Sequence, residues 1–262
     1  PDGRSMLLTQ DHAANVTAFA RAASRDGLAY AEAMAGIGRD APLLFGMLGS
    51  EPYSRATGVL LAGQSWKRGW DGLSDVAADA LEPLRHWVER AFASDLAGAL
   101  IAPWVLHVGL GPDSAFSSLM AKIVLSTLEG VGLPFVEGGS AHIVEAFERI
   151  IHSNGGAIRT SADVESVRVE KGRARGVTLA GGETIAARRA VVCNTTPTQL
   201  YDRLLAGIDI AAPVRERARR YRYGRADMQI HIALSEPPQW EPGELGEVGL
   251  LHLTGGLDAV SK

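Results

Sequence analysis

The stretch from Leu133 to Leu205 constrains the fold of this 262-residue chain more than any other part of the sequence. It opens with Gly138-Gly139-Ser140, after which apolar residues recur at helical spacing, at Ile143, Val144, Phe147, Ile150 and Ile151. Ser140 is the predicted N-cap of this helix. Asn154-Gly155-Gly156 is predicted to end it, because glycine enters the left-handed conformation without steric cost.

Three short runs with an apolar residue at every second position follow the predicted helix. The apolar residues of these runs are Val164, Val167, Val169, Val177, Leu179 and Ile185. Gly172 and Gly181-Gly182 lie between the runs and supply the turns. The pattern predicts a small antiparallel sheet.

The stretch closes on Ala190-Val191-Val192-Cys193, a run that is apolar throughout. Such a run is typical of a strand that is buried on both faces, as in a parallel sheet. Asn194-Thr195-Thr196-Pro197 then predicts a turn, and a helix is expected to begin near Pro197.

In this order, the segments resemble the phytoene dehydrogenase branch of the FAD-dependent oxidoreductases, the group that includes the amine oxidases. The matching positions are Gly138-Gly139, residues 155–160, 162–164, 176–177, 181–183 and 190–194, with 104–113 and 233–240 matching outside the stretch. The resemblance implies an α/β fold with mixed α+β character, an FAD/NAD(P)-binding-like two-domain fold that is incomplete here. It assigns residues 1–132 to a mostly helical substrate side, 133–205 to part of the FAD-binding domain with a small antiparallel insert, and 206–262 to a substrate-domain sheet.

The same resemblance implies the cofactor contacts. The backbone of Val164 would meet the adenine of FAD, and Asn194 and Thr195 would pass near the cofactor. Without the resemblance, Val164 is equally a residue of a sheet core and Asn194 a turn residue or helix cap.

The region before Val131 shows helical patterns, with Asp11 and Ser94 as predicted N-caps. The segment Gly36–Ala41 formally matches a dinucleotide-binding fingerprint, but a helical pattern precedes it and Pro42 follows it, so a loop is expected. Gly109-Leu110-Gly111 is also expected to be a loop. Residues 41–70 are rich in glycine and aromatic residues and are predicted to be irregular or short helical.

Four tryptophans are distributed through the helical region, at positions 66, 70, 87 and 104. They fit either a packed core or a pocket for an apolar substrate. The resemblance places Trp104 and His107 at such a pocket, whereas a packed or partly exposed histidine is the alternative for His107. Near the end, alternation over Ala226–Leu234 and Val248–Leu253 predicts two paired strands.

Composition limits the function classes. The net charge of −4 argues against a nucleic-acid surface. The single cysteine, Cys193, excludes an internal disulfide, and no histidine pair has metal-ligand spacing. Without a signal-peptide pattern the expected location is cytoplasmic. The expected partner is a small apolar substrate; peripheral membrane contact and the oligomeric state are left open.

Two parts of a flavin enzyme are not recognisable in this sequence: the strand–glycine turn–helix that holds the pyrophosphate and the segment near the flavin ring. We therefore expect the chain to be a piece of a longer FAD-dependent oxidoreductase that transfers hydride from an apolar isoprenoid or carotenoid-like substrate. FAD is expected in the full-length protein, and the chain alone is expected to lack FAD and activity. The alternatives are a cofactor-free binding module for an apolar ligand and a partner subunit that completes a flavoprotein.

Overall fold

The computed structural model describes residues 3–224, 226–240 and 243–261. Seven helices come first: α1 (His12–Ala22), α2 (Ser24–Leu48), α3 (Arg55–Leu81), α4 (Leu84–Ala91), α5 (Asp95–Leu106), α6 (Ser117–Val131) and α7 (Ala141–Ser153). A three-stranded sheet follows, made of β1 (Val164–Glu170), β2 (Arg173–Leu179) and β3 (Thr184–Ala186). A π-helical turn (Gln199–Leu204), α8 (Ala212–Arg219), a 3₁₀ turn (Gly243–Glu247) and α9 (Leu257–Ser261) complete the chain.

The chain divides into two compact units. The helical unit combines Pro1–Pro134 with Asp227–Lys262, and the sheet unit spans Phe135–Ala226. Helices together with a small sheet fit the predicted mixed α/β class. The two-domain FAD-binding fold and the division into substrate and cofactor sides stay predictions.

Side-chain caps define the helix starts that the sequence predicted. The Asp11 carboxylate accepts from the backbone N–H groups of Ala13 and Ala14, at 2.9 and 3.1 Å. The Ser94 hydroxyl accepts from Leu96 N–H at 3.1 Å, and α5 begins at the next residue after this cap. Both predicted caps are confirmed, and each satisfies helix-terminal N–H groups that no carbonyl reaches.

Helices α2 and α3 correct the loop predicted for Gly36–Ala41 and the irregular or short helical structure predicted for residues 41–70. Gly36–Ala41 lies inside α2, and most of residues 41–70 belongs to the end of α2 and to α3. The predictions rested on glycines, which are common in loops. Inside a packed helix, however, each glycine costs only about 1 kcal/mol of stability relative to alanine. The Gly109–Gly111 segment is a loop, as predicted.

The core of the helical unit is built from aromatic and aliphatic side chains of α1, α2, α4, α5 and α6. Phe19 and Tyr30 stack with ring centroids 4.5 Å apart, and Trp87 meets Phe92 edge to face at 5.3 Å. Trp87 is therefore a core residue, whereas Trp66 and Trp70 are exposed. The four tryptophans do not form one cluster.

The sheet unit contains the predicted antiparallel sheet. β1 pairs with β2 with Val167 opposite Val177, and β2 pairs with β3 with Val177 opposite Ile185. Val167 and Leu179 are buried on this sheet. Helix α7 ends at the predicted glycines, with Gly155 at a φ of 73°. Its N-cap Ser140 makes no side-chain capping bond.

Three predicted strands are wrong. Ala190–Cys193 forms no strand, and Val192 is 93% exposed. The segments 226–234 and 248–253 are also irregular, so they do not pair. A strand is stable only beside a hydrogen-bonded neighbour, and the sheet of the described residues, ordered β1-β2-β3, includes none of the three segments. Within the described residues, none of the helices combines the length and hydrophobicity needed to cross a bilayer.

Candidate functional site

Trp104 and His107 lie together at the end of α5, and His252 joins them from the segment before α9. The indole of Trp104 lies 5.2 Å from the His107 ring and 4.7 Å from the His252 ring, measured between centroids. Residues three apart share one face of a helix, so the end of α5 presents Trp104 and His107 side by side. We call these three residues the Trp–His cluster.

The two histidines of the cluster face each other through their Nε2 atoms, which are 3.0 Å apart. One ring must donate a proton and the other must accept it, so at least one imidazole is neutral. Burial lowers the pKa of His252, and the charge of His107 lowers it further. The indole Nε1 of Trp104 is buried and has no hydrogen-bond partner among the described residues. The cluster therefore combines an aromatic surface with imidazole groups that can donate or accept a proton.

The sequence singled out two of the three cluster residues. His252 was missed, because its position in an alternating segment suggested a strand. His252 lies 145 positions from His107 along the chain, so no local residue spacing predicts that the two rings meet. The substrate role of Trp104 and His107 stays a prediction.

The predicted cofactor residues lie in the sheet unit. Val164 begins β1 opposite Leu179, and its carbonyl oxygen accepts a hydrogen bond from Arg203 Nη2 at 2.9 Å. Asn194 and Thr195 lie in an irregular segment, and both are exposed. Contact of these residues with the adenine or the rest of the cofactor stays a prediction.

The described residues do not by themselves fit FAD. A pyrophosphate site requires a strand, a glycine turn and a helix N-terminus in succession. Here β1 and β2 are each followed by a turn and another strand, whereas β3 is followed by an irregular segment. The glycines of α2 are held inside the helix, and Gly109 follows α5. None of these positions in the described part of the chain forms the cradle that the pyrophosphate needs.

Comparison with known proteins gives the family relationship. No family model matches the chain. The zeta-carotene-forming phytoene desaturase of Myxococcus xanthus is 30% identical over 147 residues, which cover 56% of this chain and 27% of that protein. The neurosporene-forming phytoene desaturase of Cereibacter sphaeroides is 40% identical over 101 residues, covering 38% of this chain and 19% of that protein.

A third relative is the hydroxyneurosporene desaturase of Rubrivivax gelatinosus, 33% identical over 104 residues, with 40% of this chain and 19% of that protein covered. The matches thus span between 19% and 27% of the length of these relatives. The relatives confirm the resemblance to the phytoene dehydrogenase branch.

Proposed function

We propose that this chain, a relative of the phytoene and carotenoid desaturases, is part of an oxidoreductase that acts on an apolar isoprenoid or carotenoid-like substrate. The similarity to three bacterial desaturases carries the proposal. The reaction that the resemblance implies is hydride transfer from the substrate to FAD.

The Trp–His cluster supports an apolar substrate. An extended hydrocarbon packs well against an indole face, and Trp104 offers one beside two imidazoles. We place the substrate side of the enzyme at this cluster. In the proposal, Trp104 contributes apolar contact area, and the rings of His107 and His252 border that area.

The exposed surface of α7 favours the proposal that further protein packs against the sheet unit. Its large apolar residues are exposed, at Ile143, Val144, Phe147, Ile150 and Ile151. A contiguous apolar helix face normally packs against another element. We propose that further protein covers this face and completes an FAD site to which Val164, Asn194 and Thr195 contribute contacts.

The test is to express the intact gene product that contains this chain in cells that accumulate phytoene, and to analyse the carotenoids by chromatography. Desaturated products and a flavin-containing protein are expected. Trp104→Ala should reduce product formation at least tenfold, whereas the exposed Trp66→Ala should not.

Other outcomes would overturn the proposal. A folded protein that contains FAD but leaves phytoene and other isoprenoids unchanged would contradict the substrate class. A folded protein without flavin that binds an apolar ligand would instead identify a cofactor-free binding module.

A further inference from the structure

A single guanidinium group joins α9 to α4. Arg85 of α4 donates from Nη1 to Asp258 Oδ1 at 2.7 Å and from Nη2 to Ser261 Oγ at 2.6 Å, and both acceptors belong to α9. It also donates from Nε to Asp113 Oδ1 at 2.6 Å and from Nη1 to Glu89 Oε1 at 3.2 Å. The planar fork of arginine donates in fixed directions. Arg85 therefore fixes α9 relative to both α4 and the loop before α6.

Helix α9 depends on its contacts with the rest of the helical unit. It has five residues, whereas an isolated helix needs about 12–15 residues to be even marginally stable in water. Leu257 and Val260 pack against the core but are only partly buried. A Cβ on Gly98 of α5 would lie 3.6 Å from Leu257 Cβ, so α9 lies close to α5. A small apolar contact and the hydrogen bonds of Arg85 together hold α9 in place.

The position of α9 in turn fixes the position of His252. A tight turn joins the two, in which Thr254 Oγ1 accepts from the Gly256 N–H at 3.1 Å and Gly256 has a φ of 94°. Among the described residues, no backbone hydrogen bond ties residues 249–253 to a helix or strand. His252 is therefore held by its ring contacts in the Trp–His cluster and by its connection to α9. We call residues 249–261 the strap.

We propose that Arg85 is a positioning residue of the Trp–His cluster: by fastening the strap, it places the His252 ring against Trp104 and His107. Exposed ion pairs are individually weak, so removal of the guanidinium that they share should release the strap without unfolding the core. The importance of this placement for a substrate rests on the proposed function. The placement itself requires neither substrate nor FAD.

The experiment measures how fast each histidine of the 262-residue chain reacts with diethyl pyrocarbonate, with the modified residues located by mass spectrometry. Arg85→Gln should raise the reaction rate of the half-buried His252 at least threefold, because the strap moves away from α5. The exposed His142 of α7 should keep its rate. Arg90→Gln is the matched control, since Arg90 is on the same helix but pairs with Glu82 at 2.7 Å. It should leave the rate of His252 unchanged.

A second variant changes the strap and keeps Arg85. Asp258→Asn combined with Ser261→Ala weakens the acceptors of α9 while the bond from Arg85 to Asp113 remains. It should reproduce the faster reaction of His252, and it decides the question if Arg85→Gln does not fold. Unchanged reaction of His252 in the folded variants would overturn the proposal. An equal rise at His252 and His142 would also overturn it, because Arg85 would then stabilise the whole chain rather than the strap.

Activity of the intact gene product tests the link to the substrate. In cells that accumulate phytoene, Arg85→Gln should reduce desaturated products at least threefold, whereas Arg90→Gln should not. If the wild-type protein forms no such products, the proposed function fails, yet the reaction rates of His252 still decide whether Arg85 places that ring. Faster reaction of His252 together with unchanged product formation would overturn a role of this placement at the substrate.

Discussion

His107 and His252 meet through their Nε2 atoms at 3.0 Å, although 145 positions separate them in the sequence. The contact joins the end of α5 to the segment before α9. It can form only while at least one imidazole is neutral, because two protonated rings would both donate and would repel each other. The contact therefore makes this part of the helical unit sensitive to pH.

The first prediction is that the folding stability of this chain depends on pH because His252 binds a proton less tightly when folded. Its folded-state pKa is lowered by burial and by His107 from the usual 6.5, so the unfolded chain binds the proton more tightly. Stability should be fully present above pH 6.5 and decrease as the pH falls through that value toward the lower folded-state pKa. Thermal unfolding between pH 8 and pH 5 should show this decrease.

The matched variants are His252→Phe and His86→Gln. The first removes the titrating ring and should flatten the decrease, whereas the second changes an exposed histidine of α4 and should preserve it. An unchanged slope in His252→Phe would show that other groups cause the pH dependence.

The second prediction contrasts two glycines of α2. A Cβ on Gly27 would lie 2.7 Å from the carbonyl oxygen of Val16 and 2.8 Å from Ala20 Cβ, whereas a Cβ on Gly38 would meet nothing within 4 Å. Gly27→Ala should destabilise the chain by about 1–3 kcal/mol through overpacking between α1 and α2. Gly38→Ala should stabilise it by about 0.5–1 kcal/mol through helix propensity. Urea unfolding measures both, and equal effects would contradict the close approach of α1 and α2.

The third prediction concerns the buried hydrogen bond from Tyr30 to Glu129. Tyr30 is fully buried, and its hydroxyl donates to Glu129 Oε2 at 2.6 Å. Tyr30→Phe should lower the free energy of unfolding by about 1.5–3 kcal/mol, the range for a hydrogen bond to a charged group. Tyr53→Phe, at an exposed position, should change it by less than about 0.5 kcal/mol. Equal urea midpoints for the two variants would argue against this hydrogen bond.

The sequence predicted elements that depend on local signals. The start of α5 at Ser94, the end of α7 at Asn154-Gly155-Gly156 and the antiparallel sheet all follow from caps, glycine turns and alternation. These signals act within a few residues, so they can be read from the sequence without knowledge of tertiary contacts.

Elements that depend on distant partners were predicted less well. Ala190–Cys193 has the composition of a buried strand. Composition alone does not determine whether neighbouring strands are present to pair with it. Glycine is unfavourable inside a helix, yet Gly27 lies within α2 and allows α1 to pack closely against it. The contact between His107 and His252 depends on tertiary structure alone. Two of the three residues of the Trp–His cluster, Trp104 and His107, were therefore singled out from the sequence.

The fourth prediction concerns the exposed apolar face of α7. Phe147 is 63% exposed, so Phe147→Gln should change the stability of this chain by less than about 0.5 kcal/mol. It should reduce self-association, measured by analytical ultracentrifugation, because it interrupts an apolar surface. Phe19→Ala, at a fully buried position, should instead cost about 3–5 kcal/mol. A large loss of stability in Phe147→Gln would show that α7 is already packed within this chain.

The fifth prediction is that the purified 262-residue chain holds no stoichiometric FAD. The resemblance implies contacts near Val164 and Asn194, but the described residues contain no strand–glycine turn–helix for the pyrophosphate. Association must first overcome about 4–15 kcal/mol of lost translational and rotational freedom, so these contacts alone should not retain the cofactor. The measurement is to denature the purified chain and quantify released flavin by chromatography, with the intact gene product as the positive control. One FAD per chain would show that the pyrophosphate is held by a different part of this chain, with Gly36 and Gly109 as the first positions to substitute.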